Sequence, residues 1–275
     1  MPLVINTNAA SLNSQRYLSN NTSALNKSME KLSSGYRINR AGDDAAGLAL
    51  SESLRAQIRG TSKARDNAQD AINLLNLADG ALQQIQDNLQ RMRELAVQAS
   101  NDTYSAAQRT AMYTEFDQLI TDNTRIINAT TFNGAAIFGA NKVFQVGANN
   151  SANDRITVTG TGANEALSSP TAVSNAAWNA ITDAQTAIQN VDNAIAALNT
   201  QRGNLGAFTN RLESAANNLA IANENYAAAE SRIRNVDVAA ESANLTRNQI
   251  LQQASAAMLT QANSSPQLAL QLIKG

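Results

Sequence analysis

Residues 177–233 read AWNAITDAQTAIQNVDNAIAALNTQRGNLGAFTNRLESAANNLAIANENYAAAESRI. Alternate steps of four and three residues visit Ala177, Ile181, Ala184, Ile188, Val191, Ile195, Leu198, Arg202, Leu205, Thr209, Leu212, Ala216, Leu219, Asn223, Tyr226, Glu230 and Ile233, and thirteen of these seventeen positions are apolar. A 3.5-residue period held over about eight heptads makes a coiled-coil seam rather than the face of a short globular helix. Such a helix is roughly 85 Å long at its 1.5 Å rise per residue. Gly203 and Gly206 stand inside it at a cost of about 1 kcal/mol each, which favours a local kink.

The seam needs partners, and the first half of the chain supplies them. Ile72, Leu75, Leu82, Ile85, Leu89, Met92, Ala96 and Ala99 keep the same rhythm, broken only by a step of seven at Ala78–Asp79. Met112, Phe116, Leu119 and Ile126 form a shorter stripe beyond a break at residues 100–103. Three such helices bundle antiparallel and bury their stripes together. Between the second and third, residues 142–147 and 155–159 read as short strands joined by a turn at 148–154, a β-hairpin. Residues 160–171, rich in Ser and Thr and holding Pro170, read as an exposed connection.

Composition agrees with a thin molecule. Of 275 residues 51 are Ala and 35 are Asn, aromatics reach only 4%, and Pro occurs at positions 2, 170 and 266 alone. Few large apolar side chains mean a slender core, and long proline-free stretches leave room for long helices. The expected fold is mainly α: an elongated antiparallel helical-bundle rod with one small β-hairpin, plus a terminal helical pair. There is no Cys and no His, which removes thiolate and imidazole metal sites, thiol nucleophiles and His-based triads. A net charge of −1 argues against a nucleic-acid partner, and no apolar run is long enough for a membrane span. The first residues lack the basic and apolar regions of a secretory signal.

The two ends are a different material. Residues 1–26 carry only Arg16, and residues 242–275 only Arg247 and Lys274. Both are still patterned, with Ile5, Ala9, Leu12, Leu18, Leu25, Met29 and Leu32 at one end, and Leu251, Ala254, Met258, Ala262, Leu268, Leu270, Leu272 and Ile273 at the other. Amphipathic helices with so few charges are marginal alone and suit burial against each other or against further copies.

At this point the motifs INTNAASLNSQR (5–16), LSSGYRINRAGDDAAGLALSESLRAQIRG (32–60), DGALQQIQDNLQRMRELAVQAS (79–100), FNG (132–134) and VDVAAESANLTRNQILQQASAAMLTQAN (236–263) closely resemble those of bacterial flagellins, in matching order and spacing. The resemblance implies three parts. Residues 1–45 and 236–275 would form an innermost filament-core domain that orders on assembly. Residues 46–235 would form a rod domain, with helices at about 46–99, 104–129 and 172–235 and a hairpin at about 142–159. The variable outer domains of the family look absent. The implied function is a structural subunit, without catalysis or cofactor, that polymerises into the flagellar filament for motility; a hook–filament junction protein of the same family is the alternative, disfavoured by the intact QRMRELAVQ and QILQQASAAMLTQAN. A chemoreceptor-like coiled-coil rod would need a membrane span or a sensor domain.

The resemblance further implies partners and sites. Copies of the chain would pack in the filament core through Leu12, Leu25, Leu32, Leu251, Met258, Leu268 and Leu272. An export chaperone, the flagellar export apparatus, the filament cap and hook-junction proteins would meet the chain on its way to an extracellular filament. Arg91, Leu95 and Glu115 match positions read by the host innate-immune flagellin receptor, a Toll-like receptor. Leu95 lies off the Leu89–Met92–Ala96 seam and is therefore expected at the surface, where subunit packing explains it as well as a receptor does. Ser151, Thr157, Thr159, Thr161, Ser168 and Ser169 are candidates for O-linked sugar, whereas Asn-x-Ser/Thr triplets are expected by chance in so Asn-rich a chain. Asp43-Asp44, flanked by Gly42 and Gly47, reads as a turn and helix start rather than a metal or acid–base pair.

Overall fold

The computed structural model of the chain describes residues 8–139, 141–158 and 178–274, with side chains described as far as Ser264. Five helices carry the fold: α1 (Ala9–Ser34), α2 (Ala45–Ala99), α3 (Ala106–Ala129), α4 (Ile181–Arg234) and α5 (Val238–Lys274). Two small antiparallel ribbons lie between α3 and α4, namely β1 (Thr131–Phe132) with β2 (Ala135–Ala136), and β3 (Lys142–Gln145) with β4 (Arg155–Val158). The expected connection at 160–171, Ile5 and Ala177 lie outside the described residues. The chain divides into two compact units, a terminal one of residues 1–56 with 225–275, and a mid-chain one of residues 57–224.

The mid-chain unit holds the core. From α2, Leu75, Leu82, Ile85, Leu89, Met92, Ala96 and Ala99 are buried as their spacing requires, and Ala78 is buried too, so the step of seven leaves no gap. From α4, Ala184, Ala187, Val191, Ala194, Leu198, Leu205 and Leu212 are buried, while Ile188 and Ile195 sit half-buried on the flank. The seam thus turns slightly toward Ala187 and Ala194, whose small side chains let backbones approach. α4 runs unbroken through Gly203 and Gly206. Two of its four polar seam positions are answered from α2. Arg202 forks onto Asp79 at 2.8 Å and reaches the side chains of Gln83 and Gln86, and Asn223 donates to the Ile58 carbonyl and to Thr61 Oγ1. A polar pair within an otherwise apolar seam favours one register, because a slip separates the two charges.

α3 departs from its expected stripe. Phe116 is buried, but Met112, Leu119 and Ile126 are only half-buried, and the buried face runs Phe116, Ile120, Asn123, Ile127. Asn123 is the reason the rhythm misleads. It accepts a 2.7 Å hydrogen bond from Asn88 Nδ2, so a polar residue occupies a core position with its acceptor satisfied. A capping box at Ser105 and Gln108 starts the helix after the expected break. Trp178, wholly buried, packs its ring 4.9 Å from Phe116 and 5.7 Å from Tyr113, centroid to centroid.

The β3–β4 hairpin pairs Lys142 with Val158 and Gln145 with Arg155, and the period of two places Ile156 and Val158 inward and Arg155 and Thr157 outward. Its turn rests on α2 at Gly60, where a Cβ would stand 2.7 Å from that of Ala148. Only glycine permits that approach. The β1–β2 ribbon has no expectation in the sequence reading. It is two residues per strand, too short for an alternation to be visible, and its signature is the turn pair Asn133-Gly134 with φ of 50° and 76°, the doubly left-handed geometry of a tight hairpin.

Candidate assembly surface

The terminal unit is built from α1 and α5 side by side. Asn8 Nδ2 donates to the Ala262 carbonyl, Asn21 Nδ2 to Ser255 Oγ, Gln252 Nε2 to Thr22 Oγ1 and Asn248 Nδ2 to Ser28 Oγ, so the helices run antiparallel. Small and amide side chains hydrogen-bond along the line between them beside half-buried leucines such as Leu18, Leu245 and Leu259, and a second set of large apolar side chains stays outside. Of all the buried apolar side chains among the described residues, only Ile38 belongs to this unit. Leu12 is 59% exposed and Met258 63%, and Tyr17, Met29, Ile250 and Leu251 are exposed as well. Leu25 and Leu32 are half-buried. Leu268 and Leu272 fall in α5, with side chains outside the described residues. Tyr17, Leu251, Ala254 and Met258 border an open cleft of about 450 Å³ on the pair.

The stretch 35–44 ties this unit together. Arg37 N donates to the Arg234 carbonyl at 2.6 Å and Val236 N to the Gly35 carbonyl at 3.0 Å, pairing the exit of α1 with the end of α4. The Arg234 guanidinium lies 4.7 Å over the Tyr36 ring and 2.7 Å from Glu52, whose carboxyl is held below its usual range by Arg234 and Arg55. Asp44 Oδ1 accepts from Gly47 N at 2.9 Å, an N-terminal cap for α2, and Asp43 Oδ2 accepts from the backbone N–H groups of Asn39 and Arg40. Both acids therefore serve the turn and helix start.

Asp43 also pairs with Lys27 Nζ at 2.7 Å, and Lys27, then the two N–H groups, lower its pKa from 3.8 to about 2. A folded-state pKa below the unfolded one contributes stability above pH 3.8 that is lost as pH falls through about 2. Thermal melts across that window should show the terminal unit losing stability in acid. The Asp43→Asn chain should be weaker at neutral pH and lack this part of the acid slope; an unchanged slope would remove Asp43 from the account.

In the mid-chain unit, Arg91 and Glu115 come together. Arg91 Nε and one of its terminal nitrogens both lie 2.9 Å from Glu115 Oε1, and the second terminal nitrogen reaches Glu94 at 3.1 Å. Both partners are about half exposed, so the pair orients more than it stabilises. Leu95 does not join them at the surface. It is 2% exposed, which corrects the expectation drawn from a single seam. The bonds Asn88–Asn123 and Arg91–Glu115 on one flank, and Arg93–Asp192 and Asp79–Arg202 on the other, show α2 packing against α3 and α4 at once. Its buried arc is correspondingly wider than one seam and takes in Leu95.

Of the sugar candidates, Ser151 Oγ accepts from Asn153 N in the hairpin turn and Thr157 is exposed; Thr159, Thr161, Ser168 and Ser169 lie outside the described residues. The sequence reading missed Ile250 and Tyr17 as exposed apolar groups. Their signal was present in the near absence of charge around them.

Comparison with known families matches residues 5–143 to the bacterial flagellin N-terminal helical region and residues 188–273 to the bacterial flagellin C-terminal helical region. The chain belongs to the bacterial flagellin family. This flagellin is 46% identical over 275 residues to a flagellin of Halalkalibacterium halodurans, an alignment covering 99% of this chain and all of that one. It is 43% identical over 302 residues to a flagellin of Bacillus subtilis, covering 98% and 99%. It is likewise 43% identical over 288 residues to a flagellar filament 33 kDa core protein of Treponema phagedenis, covering 99% and 100%. Only residues 144–187 separate the two matched regions, so this is a short flagellin without outer domains.

Proposed function

We propose that this flagellin, a structural subunit of the bacterial flagellar filament, enters the polymer through α1 and α5, which complete their burial only against neighbouring copies. The observation that carries this is the surface of the terminal unit, where Leu12, Tyr17, Met29, Ile250, Leu251 and Met258 stand exposed on a helix pair joined by polar bonds. Full burial of a Leu or Met side chain is worth about 1.5–3 kcal/mol, so Leu12, Ile250, Leu251 and Met258 together supply a driving force for ordering and docking. The role is mechanical and asks for no catalysis.

The same surface defines the other partners. Exposed apolar helices need masking before assembly, which is the work of an export chaperone, and passage through the flagellar export apparatus would deliver the chain without a cleaved signal to an extracellular filament bounded by cap and hook-junction proteins. Among the described residues no helix is long and apolar enough to cross a membrane. A host receptor would meet Arg91 and Glu115 already paired, with Leu95 shaping the surface from beneath. Relatives named flagellin and filament core protein lend nothing to the hook-junction alternative.

Electron microscopy of polymer grown from the purified chain tests the role, with long filaments expected and closed rings fatal to it. Hydrogen exchange tests the route. Backbone amides of residues 9–34 and 238–264 should gain protection on polymerisation while those of the mid-chain bundle stay unchanged. Equal protection of the terminal helices in monomer and polymer would overturn it.

A further inference from the structure

Among 35 Asn residues, Asn133 alone is followed by glycine. It sits at the tip of the β1–β2 ribbon, exposed, with φ of 50°, and its side chain makes no hydrogen bond among the described residues. Gly134 has φ of 76°, is exposed, and has nothing within 4 Å of where a side chain would stand, so no neighbouring side chain crowds that face of the turn. The ribbon is two residue pairs long, with Ile137 N bonding back to the Thr130 carbonyl and Lys142 Nζ to the Ala136 carbonyl, and its tip residues Asn133, Gly134 and Ala135 are exposed.

Other asparagines before small residues are guarded. Asn13 and Asn263 precede serines inside α1 and α5, where the following N–H is committed to the helix. Asn150, before Ser151, has its side-chain oxygen held by the Arg155 guanidinium, and Asn101, before Asp102, accepts from Thr103 N.

We infer that Asn133 is a self-modification site, where the chain converts its own amide to a carboxylate. With its proton taken up by water or hydroxide, the Gly134 backbone nitrogen attacks Asn133 Cγ. A nitrogen–carbon bond forms, the Cγ–Nδ2 bond breaks and ammonia leaves, giving a five-membered succinimide. One water then opens either carbonyl, so that the sum is amide plus water to acid plus ammonia. The products are aspartate, or isoaspartate with the backbone rerouted through the side chain. Either makes the chain one unit more negative than its present −1. The isoaspartate adds a main-chain carbon to a two-residue turn, which cannot then keep the β1–β2 register.

The full-length chain, folded, would be incubated in warm, mildly alkaline buffer beside a urea-unfolded sample and an Asn133→Gln chain, whose longer side chain cannot close the five-membered ring. Fragmentation of the tryptic peptide 126–142 should show the gain of one mass unit at Asn133, several-fold faster than at Asn150, with isoaspartate detected by enzymatic methylation. The Asn133→Gln chain should show neither at this position. A folded chain that stays unchanged at Asn133 while the unfolded chain reacts would show that the turn protects this residue and would overturn the inference, as would faster reaction at Asn150 or within the helices.

Discussion

A chain lacking residues 242–275 should form no sedimentable polymer, while residues 57–224 remain folded and helical. The truncation removes nearly all of α5 and with it Ile250, Leu251 and Met258, all exposed on the terminal unit. It also deprives α1 of Thr22, Asn21 and Ser28 pairings, leaving an isolated helix with few charges, which is marginal in water. The buried core is untouched, since its side chains fall between Ala64 and Leu212 apart from Ile38. Sedimentation and circular dichroism on the same sample read the two halves separately. Filaments grown from the truncated chain would mean that mid-chain contacts alone hold the polymer, and the role given to the terminal pair would fail.

Replacing Leu198 by Ala should cost the monomer about 2–5 kcal/mol, because a fully buried leucine is lost and a cavity remains. Leu212, also fully buried, should behave in the same way. Met258→Ala gives the contrast. At 63% exposed it should change monomer stability by no more than about 0.5 kcal/mol and yet weaken polymerisation. Chemical denaturation of the monomer followed by a polymerisation assay separates the two kinds of residue. A denaturation midpoint for the Leu198 variant equal to that of the parent would show that the α4 seam is not the core.

Much of this was legible because long helices repeat themselves. The α2 and α4 stripes follow from a period held over many turns, and the hairpin follows from two short apolar runs, the second of them alternating at Arg155–Val158, on either side of a polar turn. What could not be read has a physical cause in each case. Leu95 was hidden because a single seam was assumed for a helix that packs against two others. Ile120 and Ile127 were hidden because Asn123 sits among them with its hydrogen bond satisfied. Arg202 in the seam and Asp79 at its break look like two separate faults in sequence and prove to be one contact, 123 residues apart. The terminal surface was visible as an absence of charge, but not the polar line of Asn, Ser, Thr and Gln that joins α1 to α5 and leaves Leu12, Ile250, Leu251 and Met258 outside.

That contact between Arg202 and Asp79 has a mechanical consequence. The seam between α2 and α4 mixes alanines such as Ala78, Ala187 and Ala194 with larger side chains such as Leu82, Leu198 and Leu205, and the polar bonds across it oppose sliding of one helix past the other. A guanidinium locked to one carboxylate and two amides works as a key in a keyway: axial slip of a few ångströms breaks all of these bonds at once. A subunit that must pass torque along a filament needs shear stiffness more than it needs melting temperature, and in this chain Arg202 on Asp79, with Arg93 on Asp192, supplies it between α2 and α4.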